Sequence, residues 1–240
     1  MLVMSEIIDS LLYAAKEPIA KESINLLGNI TFNNVRDLLL YITQKENLTE
    51  KIMSISYSHV LGFDKLILAK GNNGEKVRLH IWHKDQPTYQ KNKFVDIHDH
   101  YWDFSSLVLK GSLLSRKYMV SNTGSNQYQR IKLVPKLLGD YELREAGTQN
   151  LELIEQRRIR EGEVHTLAHH QLHSIINEGF AVSLVLQGRR LSKENTIYRK
   201  SDLIENTQKS NINRMTKEGF KRVIESVLGA FEKSSSNKAI

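Results

Sequence analysis

The sequence predicts an all-β core with helical segments at both ends, and two observations support this. From about Leu66 the chain consists of short segments rich in Val, Ile and Leu that are broken by Gly, Asn or Asp, a pattern typical of a closed β-sandwich or barrel. Before and after this region, apolar residues recur at helical spacing. With 240 residues, 40% of them hydrophobic and 25% charged, the chain has the composition of a globular protein with a sizeable core.

Helical periodicity is clearest in three segments. Two lie near the start, "SEIIDSLLYAAK" and "NNVRDLLLYITQKEN", and Asn33 or Asn34 is the expected cap of the second. The third, "TKEGFKRVIESVLGAFEK", places these apolar residues on one face: Phe220, Val223, Ile224, Val227, Leu228 and Phe231. We therefore divide the chain into a helical segment at 1–60, a barrel at 61–190, and a basic C-terminal extension with one amphipathic helix at 191–240.

Charge and cysteine content limit the classes of partner. The net charge is +7, and from Gly188 onward twelve basic residues accompany six acidic ones. Because no nucleic-acid recognition motif accompanies them, we expect a solvated helical face rather than a nucleic-acid site. The acidic N-terminus, with Glu6 and Asp9, predicts neither a signal peptide nor a membrane span. The absence of cysteine excludes disulfides and thiolate metal sites and fits a cytoplasmic location.

The stretch "VDIHDHYWDFSSLVLKGSL" contains the first candidate for a metal site. Alternation along a strand places His98 and His100 on the same face, so that both imidazoles can reach one ion. A chain with nine histidines often contains such a pair by chance, and the pair alone is a weak signal. A second element, "GEVHTLAHHQLHSIIN", contains His173 followed four residues later by Asn177.

A His-x-His strand closed by a glycine and followed by a Gly…His-x-x-x-Asn strand resembles the two motifs of the cupin superfamily. The resemblance implies a cupin-type (double-stranded β-helix) barrel in which His98, His100 and His173 bind one metal. It also implies that Gly111 and Gly162 are turn glycines.

Most cupins carry a glutamate about six residues after the first histidine, and this chain departs from that pattern. The corresponding region is Phe104 and Ser105. Asp103 is close by but has the wrong strand parity to join the histidines unless a bulge intervenes. The resemblance therefore implies a metal site without a carboxylate ligand.

A cupin without that glutamate resembles the cysteine dioxygenase-like thiol oxygenases, which use three histidines. The segments "IHDH", "FDKLILAKGNNGEKVRLHIW" and "LHSIINEGFAVSLVL" are similar to segments of that family, over roughly residues 30–188. The resemblance implies that Lys65 takes the place of the arginine that binds the substrate carboxylate. Ser183, Val185 and Gln187 stand where the family has Ser-x-His-x-Tyr, so we expect a substrate other than free cysteine.

Two functions follow from these expectations. Fe(II), or alternatively Zn or another divalent metal, would be held by the three imidazoles. The first function is an Fe(II)-dependent oxygenase that uses O2 on a small anionic organic substrate such as a thiol or an amino-acid derivative. The second is a non-catalytic metal-binding cupin that binds a ligand or a protein. No membrane partner is expected, and a homodimer is left open. The residues expected to line the cavity are Trp82, Trp102, Phe104, Tyr118 and His165, although the aromatic ones could equally form plain core.

Overall fold

The computed structural model describes residues 4–59, 62–83, 97–123, 126–135, 141–177, 179–200 and 213–236. The helices in this part of the chain are α1 (Met4–Ala14), α2 (Lys21–Gly28), α3 (Phe32–Thr43), α4 (Glu46–Ile55) and α5 (Lys217–Ser236). The strands are β1 (Tyr57–His59), β2 (Phe63–Lys70), β3 (Lys76–Trp82), β4 (Ile97–His98), β5 (Phe104–Lys110), β6 (Ser112–Ser121), β7 (Gln127–Pro135), β8 (Tyr141–Arg160), β9 (Val164–Leu167), β10 (Leu172–Asn177), β11 (Ala181–Gln187), β12 (Asn195–Arg199) and β13 (Asn213–Arg214).

The strands form two antiparallel layers. One layer is a seven-stranded sheet in the order β13-β1-β2-β3-β11-β5-β9, and the other is a closed ring in the order β10-β4-β12-β7-β8-β6. From β4 to β12 the chain passes repeatedly between the layers, because β5, β9 and β11 lie in the sheet and their neighbours in sequence lie in the ring. The predicted fold class, a cupin-type barrel with helices before and after it, is confirmed.

The seven-stranded sheet has one face toward the helices and one toward the barrel interior. In β3, Val77, Leu79 and Ile81 belong to the main hydrophobic core, which includes residues of α1, α3 and α5. Alternation turns Arg78 and His80 of the same strand to the opposite face. The interior of the barrel is therefore lined by every second residue of β2, β3, β5 and β11.

The cap of α3 differs from the expected one. The helix begins at Phe32, and Thr31 is its N-cap. The Asn34 backbone N–H donates to Thr31 Oγ1 at 3.3 Å, and the Thr31 backbone N–H donates to Asn34 Oδ1 at 2.8 Å. The expectation that Asn33 or Asn34 caps this helix was wrong, because the threonine one turn earlier forms a reciprocal capping box with Asn34.

Gly111 lets the chain cross from the seven-stranded sheet to the ring. It is the one residue between β5 and β6, and its φ of 75° lies in the left-handed region that favours glycine. A Cβ atom at this position would lie 2.3 Å from the Phe180 carbonyl oxygen. Gly162, between β8 and β9, has a φ of 85°. Both predicted turn glycines thus occupy turns that require a positive φ.

The strands beyond residue 190 were not predicted from the sequence. β12 pairs with β4 and β7 in the ring, and β13 pairs with β1 at the edge of the sheet. Residues 141–147 and 151–160, together with the residues between them, form the single strand β8. The division into parts at 1–60, 61–190 and 191–240 stays a prediction. Among the described helices, none has the length and apolar character needed to span a membrane.

Candidate metal centre

Pairing between β4 and β10 brings the histidines of the two motifs together. His98 stands directly opposite His173 in the antiparallel register, and His100 follows two residues after His98. Their ring centroids are separated by 4.6 Å for His98 and His173, and by 4.9 Å for each of the other two pairs. One ring nitrogen of each residue lies within 4.8 Å of those of the other two. The three imidazoles thus face one point inside the barrel.

The protonation of the cluster suits metal binding. His173 Nδ1 lies 3.0 Å from the Gln171 carbonyl oxygen, and because a carbonyl only accepts, Nδ1 carries the proton and Nε2 keeps its lone pair. Burial lowers the pKa of His173 and of His100 well below the usual value, and the neighbouring imidazoles lower both further. Both rings are therefore neutral near pH 7, the form that binds a cation.

No carboxylate belongs to the cluster among the described residues. Asp103, the carboxylate next to the position of the usual cupin glutamate, accepts hydrogen bonds from the backbone N–H of His169 at 2.7 Å and from His169 Nδ1 at 2.9 Å. The Ser105 hydroxyl faces the helices and donates to the Pro18 carbonyl oxygen. At the position of the glutamate found in most cupins, Ser105 thus points outward and the Phe104 ring points inward. Neither residue supplies a carboxylate.

Aromatic side chains enclose the cluster on the side of the seven-stranded sheet. The Trp102 ring stacks on His100, with centroids 5.9 Å apart and an interplanar angle of 17°. Phe104 meets His100 edge-on at 5.0 Å and lies 6.0 Å from His173. His165 lies on the other side of the Phe104 ring, 6.0 Å from it, and both of its ring nitrogens are buried.

Two of the residues expected in the cavity wall pack in clusters separate from the three histidines. Trp82 stacks on Phe63 at 5.0 Å and belongs to a separate hydrophobic cluster at another part of the interior. Tyr118 packs with Ile97 and Leu172 and is paired with Leu172 in the register. Because Leu172 and His173 alternate along β10, Tyr118 lies on the face away from the histidines. The register of β6 shifts just before Tyr118, and periodicity does not reveal such a shift.

Lys65 is buried at the inner face of β2. Its side chain is 8% exposed, and Nζ lies 5.6 Å from the Tyr57 ring centroid and 5.2 Å from that of Phe63. Burial lowers the pKa of Lys65 well below its usual value, and the charges of Arg78 and Lys76 lower it further. The Lys65 and Arg78 charges in turn lower the pKa of His100, so these cations act on the same interior as the histidine cluster.

The inner face of β11 presents Ser183, Val185 and Gln187, all fully buried. The Ser183 hydroxyl and Gln187 Oε1 have no hydrogen-bond partner among the described residues. Gln187 Nε2 donates to the Gly74 carbonyl oxygen at 3.1 Å, which holds the amide in place. Val185 packs against Phe104. This wall offers hydrogen-bonding groups but no side chain that titrates near neutral pH.

Arg78 and His59 were not identified from the sequence. Arg78 is 4% exposed, and its guanidinium carbon lies 5.7 Å from the Trp102 ring centroid. In "KVRLHIW", Arg78 has the same strand parity as His80 and Trp82. This alternation was the sequence signal that could have identified Arg78 as an inward-facing residue. His59 lies in a strand of only three residues, too short for periodicity to detect, and burial lowers its pKa well below the usual value.

Together, the fold and the cluster define a cupin-type β-barrel with a three-histidine centre that faces its interior. No protein-family model matches the chain, and no curated protein matches it.

Solved structures that resemble parts of the chain include cupin superfamily proteins and oxygenases. A cupin superfamily protein from Desulfitobacterium hafniense DCB-2 is 11% identical, with 52% of this chain and 75% of that chain covered and a TM-score of 0.30. A hydroquinone 1,2-dioxygenase from Sphingomonas sp. TTNP3 is 10% identical, with coverages of 53% and 66% and a TM-score of 0.32. The Fe(II)-bound HEPD of Streptomyces albus is 12% identical, with coverages of 54% and 22% and a TM-score of 0.32. Similarity at this level says nothing about the reaction or ligand of this chain.

Proposed function

We propose that the protein is a non-heme Fe(II)-dependent oxygenase that uses O2 to act on a small anionic organic substrate. The observation that carries this proposal is the group of three imidazoles with no carboxylate among the described residues, in an interior that also holds the buried side chain of Lys65. Such a centre would keep the full charge of a divalent ion, which favours an anionic substrate. Within this class, we propose a thiol or an amino-acid derivative, acted on in the cytoplasm.

The residues present fit a divalent metal. His98, His100 and His173 would hold it, since three nitrogens about 2.0–2.1 Å from one ion lie up to about 4 Å apart, and the observed 4.8 Å limit requires only small side-chain rotations. When bound, Fe(II) would supply the one-electron chemistry needed to activate O2. Zn(II) fits the same ligands but would support hydrolytic chemistry instead.

The surrounding side chains would prepare the substrate. Lys65 would bind and orient the anionic group of the substrate, because its ammonium is buried at the interior face. Trp102 and Phe104, beside His100, would exclude bulk water. Ser183 and Gln187, in the same sheet as Lys65, would offer hydrogen bonds through the hydroxyl and the amide oxygen that have no partner in the described residues.

Measurement of O2 consumption tests the proposal. Chelator-treated protein is reloaded with Fe(II) or, as a control, Zn(II), and is screened against thiols and amino acids under air. We expect uptake only with Fe(II) and an anionic substrate. Free cysteine should give little or none, because β11 presents Val185 and Gln187 in place of titrating residues; turnover of cysteine at about 1 per second or faster would contradict this part.

The alternative, a metal-binding module without catalysis, predicts a different result. The protein would bind one metal per chain but consume no O2 with any substrate of the screen. That outcome would overturn the oxygenase proposal.

A further inference from the structure

Arg78 is a buried cation that the proposed reaction does not yet use. Its side chain is 4% exposed, and Nε is buried without a hydrogen-bond partner among the described residues. In the register of β2 and β3, Lys65 is paired with His80 and Ile67 with Arg78. Lys65 and Arg78 are therefore diagonal neighbours on the inner face, a relation in which the Cα atoms lie about 7–8 Å apart. Two buried cations thus point into one part of the barrel.

The surroundings of this pair are positive and rich in donors. The described charges that act on the Lys65 ammonium are those of Arg78 and Lys76, both cations. Lys76 Nζ lies 5.9 Å from the Trp102 ring, and the Arg78 guanidinium carbon lies 5.7 Å from the same ring. The indole N–H of Trp102 is also buried, and none of the described residues accepts a hydrogen bond from it. This part of the interior therefore offers a guanidinium N–H and an indole N–H that are unused in the absence of ligand.

Burial of a charge without an opposite charge is costly, and buried charges in proteins are therefore normally paired. Two cations are better neutralised by a dianion than by a single carboxylate. The planar fork of an arginine also matches a group that has two or more oxygen atoms on one centre. A compact oxyanion with two negative charges satisfies all of these groups at once.

We propose that Arg78, together with Lys65, forms a subsite for a dianionic group of the phosphate or phosphonate type. The Trp102 ring connects this subsite to the metal centre, because it contacts Arg78 on one side and stacks on His100. The inference deepens the proposed function, in that it assigns such a head group to the substrate. Binding of the dianion itself requires neither metal nor O2.

Thermal unfolding of chelator-treated protein tests the subsite with simple probes. At about pH 8 inorganic phosphate is a dianion, and it is compared with methylphosphonate, acetate and chloride at equal ionic strength. We expect phosphate or methylphosphonate, at saturating concentration, to raise Tm by about 3 °C or more. Acetate and chloride should have little effect. The absence of a rise with either dianion, or an equal rise with acetate, would overturn the proposal.

Variants separate specific binding from a general effect of charge. Arg78→Met should abolish the rise with phosphate, and Arg78→Lys, which keeps the charge but loses the fork, should weaken it. Arg222→Met, on the exposed face of α5, removes one positive charge far from the interior and should respond like the wild type. A full response in Arg78→Met would contradict the assignment.

The stability of the ligand-free protein gives a second readout. If Arg78 serves a ligand, Arg78→Met in the absence of dianion should unfold at the wild-type temperature or above it, because an uncompensated charge has been removed. A lower Tm would mean that Arg78 stabilises the fold and would overturn its assignment to a ligand. Because these measurements use metal-free protein, a failure of the oxygenase proposal leaves their outcome unaffected.

Discussion

A single hydrogen bond at His173 determines which nitrogen faces His98 and His100. The ring donates from Nδ1 to the Gln171 carbonyl oxygen, so Nε2 is the nitrogen left for a metal. Burial and the adjacent rings lower the pKa of His100 and of His173 and keep both imidazoles neutral. At the residue scale, these two side chains are therefore ready to bind a cation without first releasing a proton.

Replacement of a histidine tests the metal site. His98→Ala and His173→Ala should each reduce metal content from one divalent ion per chain to near zero, because two imidazoles hold the ion too weakly. Elemental analysis of purified protein measures this. His170→Ala, in an exposed turn, is the matched control and should keep its metal. Unchanged metal content in the first two variants would refute the site.

Because the pKa of His100 and of His173 is lowered, wild-type protein should retain metal below the pKa of about 6.5 of free imidazole.

Lys65 is expected to act on the substrate. Lys65→Met should raise KM or lower kcat by about tenfold or more, a loss of about 1.4 kcal/mol in binding or transition-state energy. Steady-state kinetics with the anionic substrate identified by O2 uptake measures the effect. Lys70→Met provides the control, since Lys70 lies at the exposed end of the same strand. Equal kinetics in both variants would remove Lys65 from the site.

His165 should make the protein sensitive to acid. Burial lowers the pKa of His165 to about 4, below the value of about 6.5 expected in the unfolded chain. Between these two pH values the unfolded chain binds a proton at His165 and the folded form does not. The free energy of unfolding is therefore highest above about pH 6.5 and falls as the pH is lowered toward 4. The loss amounts to about 3 kcal/mol.

Urea unfolding at several pH values between these limits checks this effect. His165→Gln should flatten the decline in the free energy of unfolding relative to the wild type. His170→Gln, in the exposed turn, should not. Identical pH profiles for wild type and His165→Gln would show that His165 does not contribute.

At the scale of elements, the crossing at Gly111 constrains the barrel in two ways. The residue has a positive φ, and a Cβ would meet the Phe180 carbonyl oxygen. Gly147, inside β8, has a similar φ of 81°, but no atom of the described residues lies within 4 Å of the Cβ position. The two glycines therefore separate the cost of the backbone conformation from the cost of a steric clash.

Alanine substitution should distinguish these costs. Gly147→Ala should lower the free energy of unfolding by about 1–2 kcal/mol, the cost of a left-handed backbone. Gly111→Ala should cost clearly more, because the backbone at Phe180, just before β11, must also move. Urea denaturation of both variants provides the measurement. Equal losses would show that the space around Gly111 can relax freely.

The elements that could be predicted are those with long, regular patterns. α1, α3, α5 and the β-rich region follow from periodicity within one segment. β12 and β13 are short or irregular, and pairing with distant strands defines them. In the site, parity placed His98 and His100 on one face, and the resemblance supplied His173, but metal binding stays a prediction. Arg78 shares the parity of His80, yet its burial depends on the packing of the whole barrel.

At the scale of the molecule, helices and barrel share one core. Phe231 of α5 is fully buried, and its ring lies 3.8 Å from that of Phe32 in α3. The same core includes Leu79 of β3 and Leu184 of β11. Because side chains of the helices and of the strands belong to one hydrophobic cluster, we expect the helices and the barrel to unfold together.

Loss of the Phe231 ring tests this cooperativity. Phe231→Ala should lower the free energy of unfolding by about 3–5 kcal/mol. Circular dichroism reports the helices, and tryptophan fluorescence reports the barrel, since both tryptophans, Trp82 and Trp102, lie there. The two midpoints should shift together. Arg222→Ala, exposed on the same helix, should change neither. Separate midpoints would show that the helices form an independent unit.

Because His98 pairs with His173, the three histidines come together only when β4 and β10 are aligned in the native register. β4 and β10 are distant in the chain, and a slip of one residue would turn one of the two imidazoles to the other face of its strand. A nascent chain can therefore complete the centre only after the barrel has closed in its native register. The fraction of chains that bind metal would then equal the fraction that has folded in the native register. Misaligned chains would be recognised because they bind no metal.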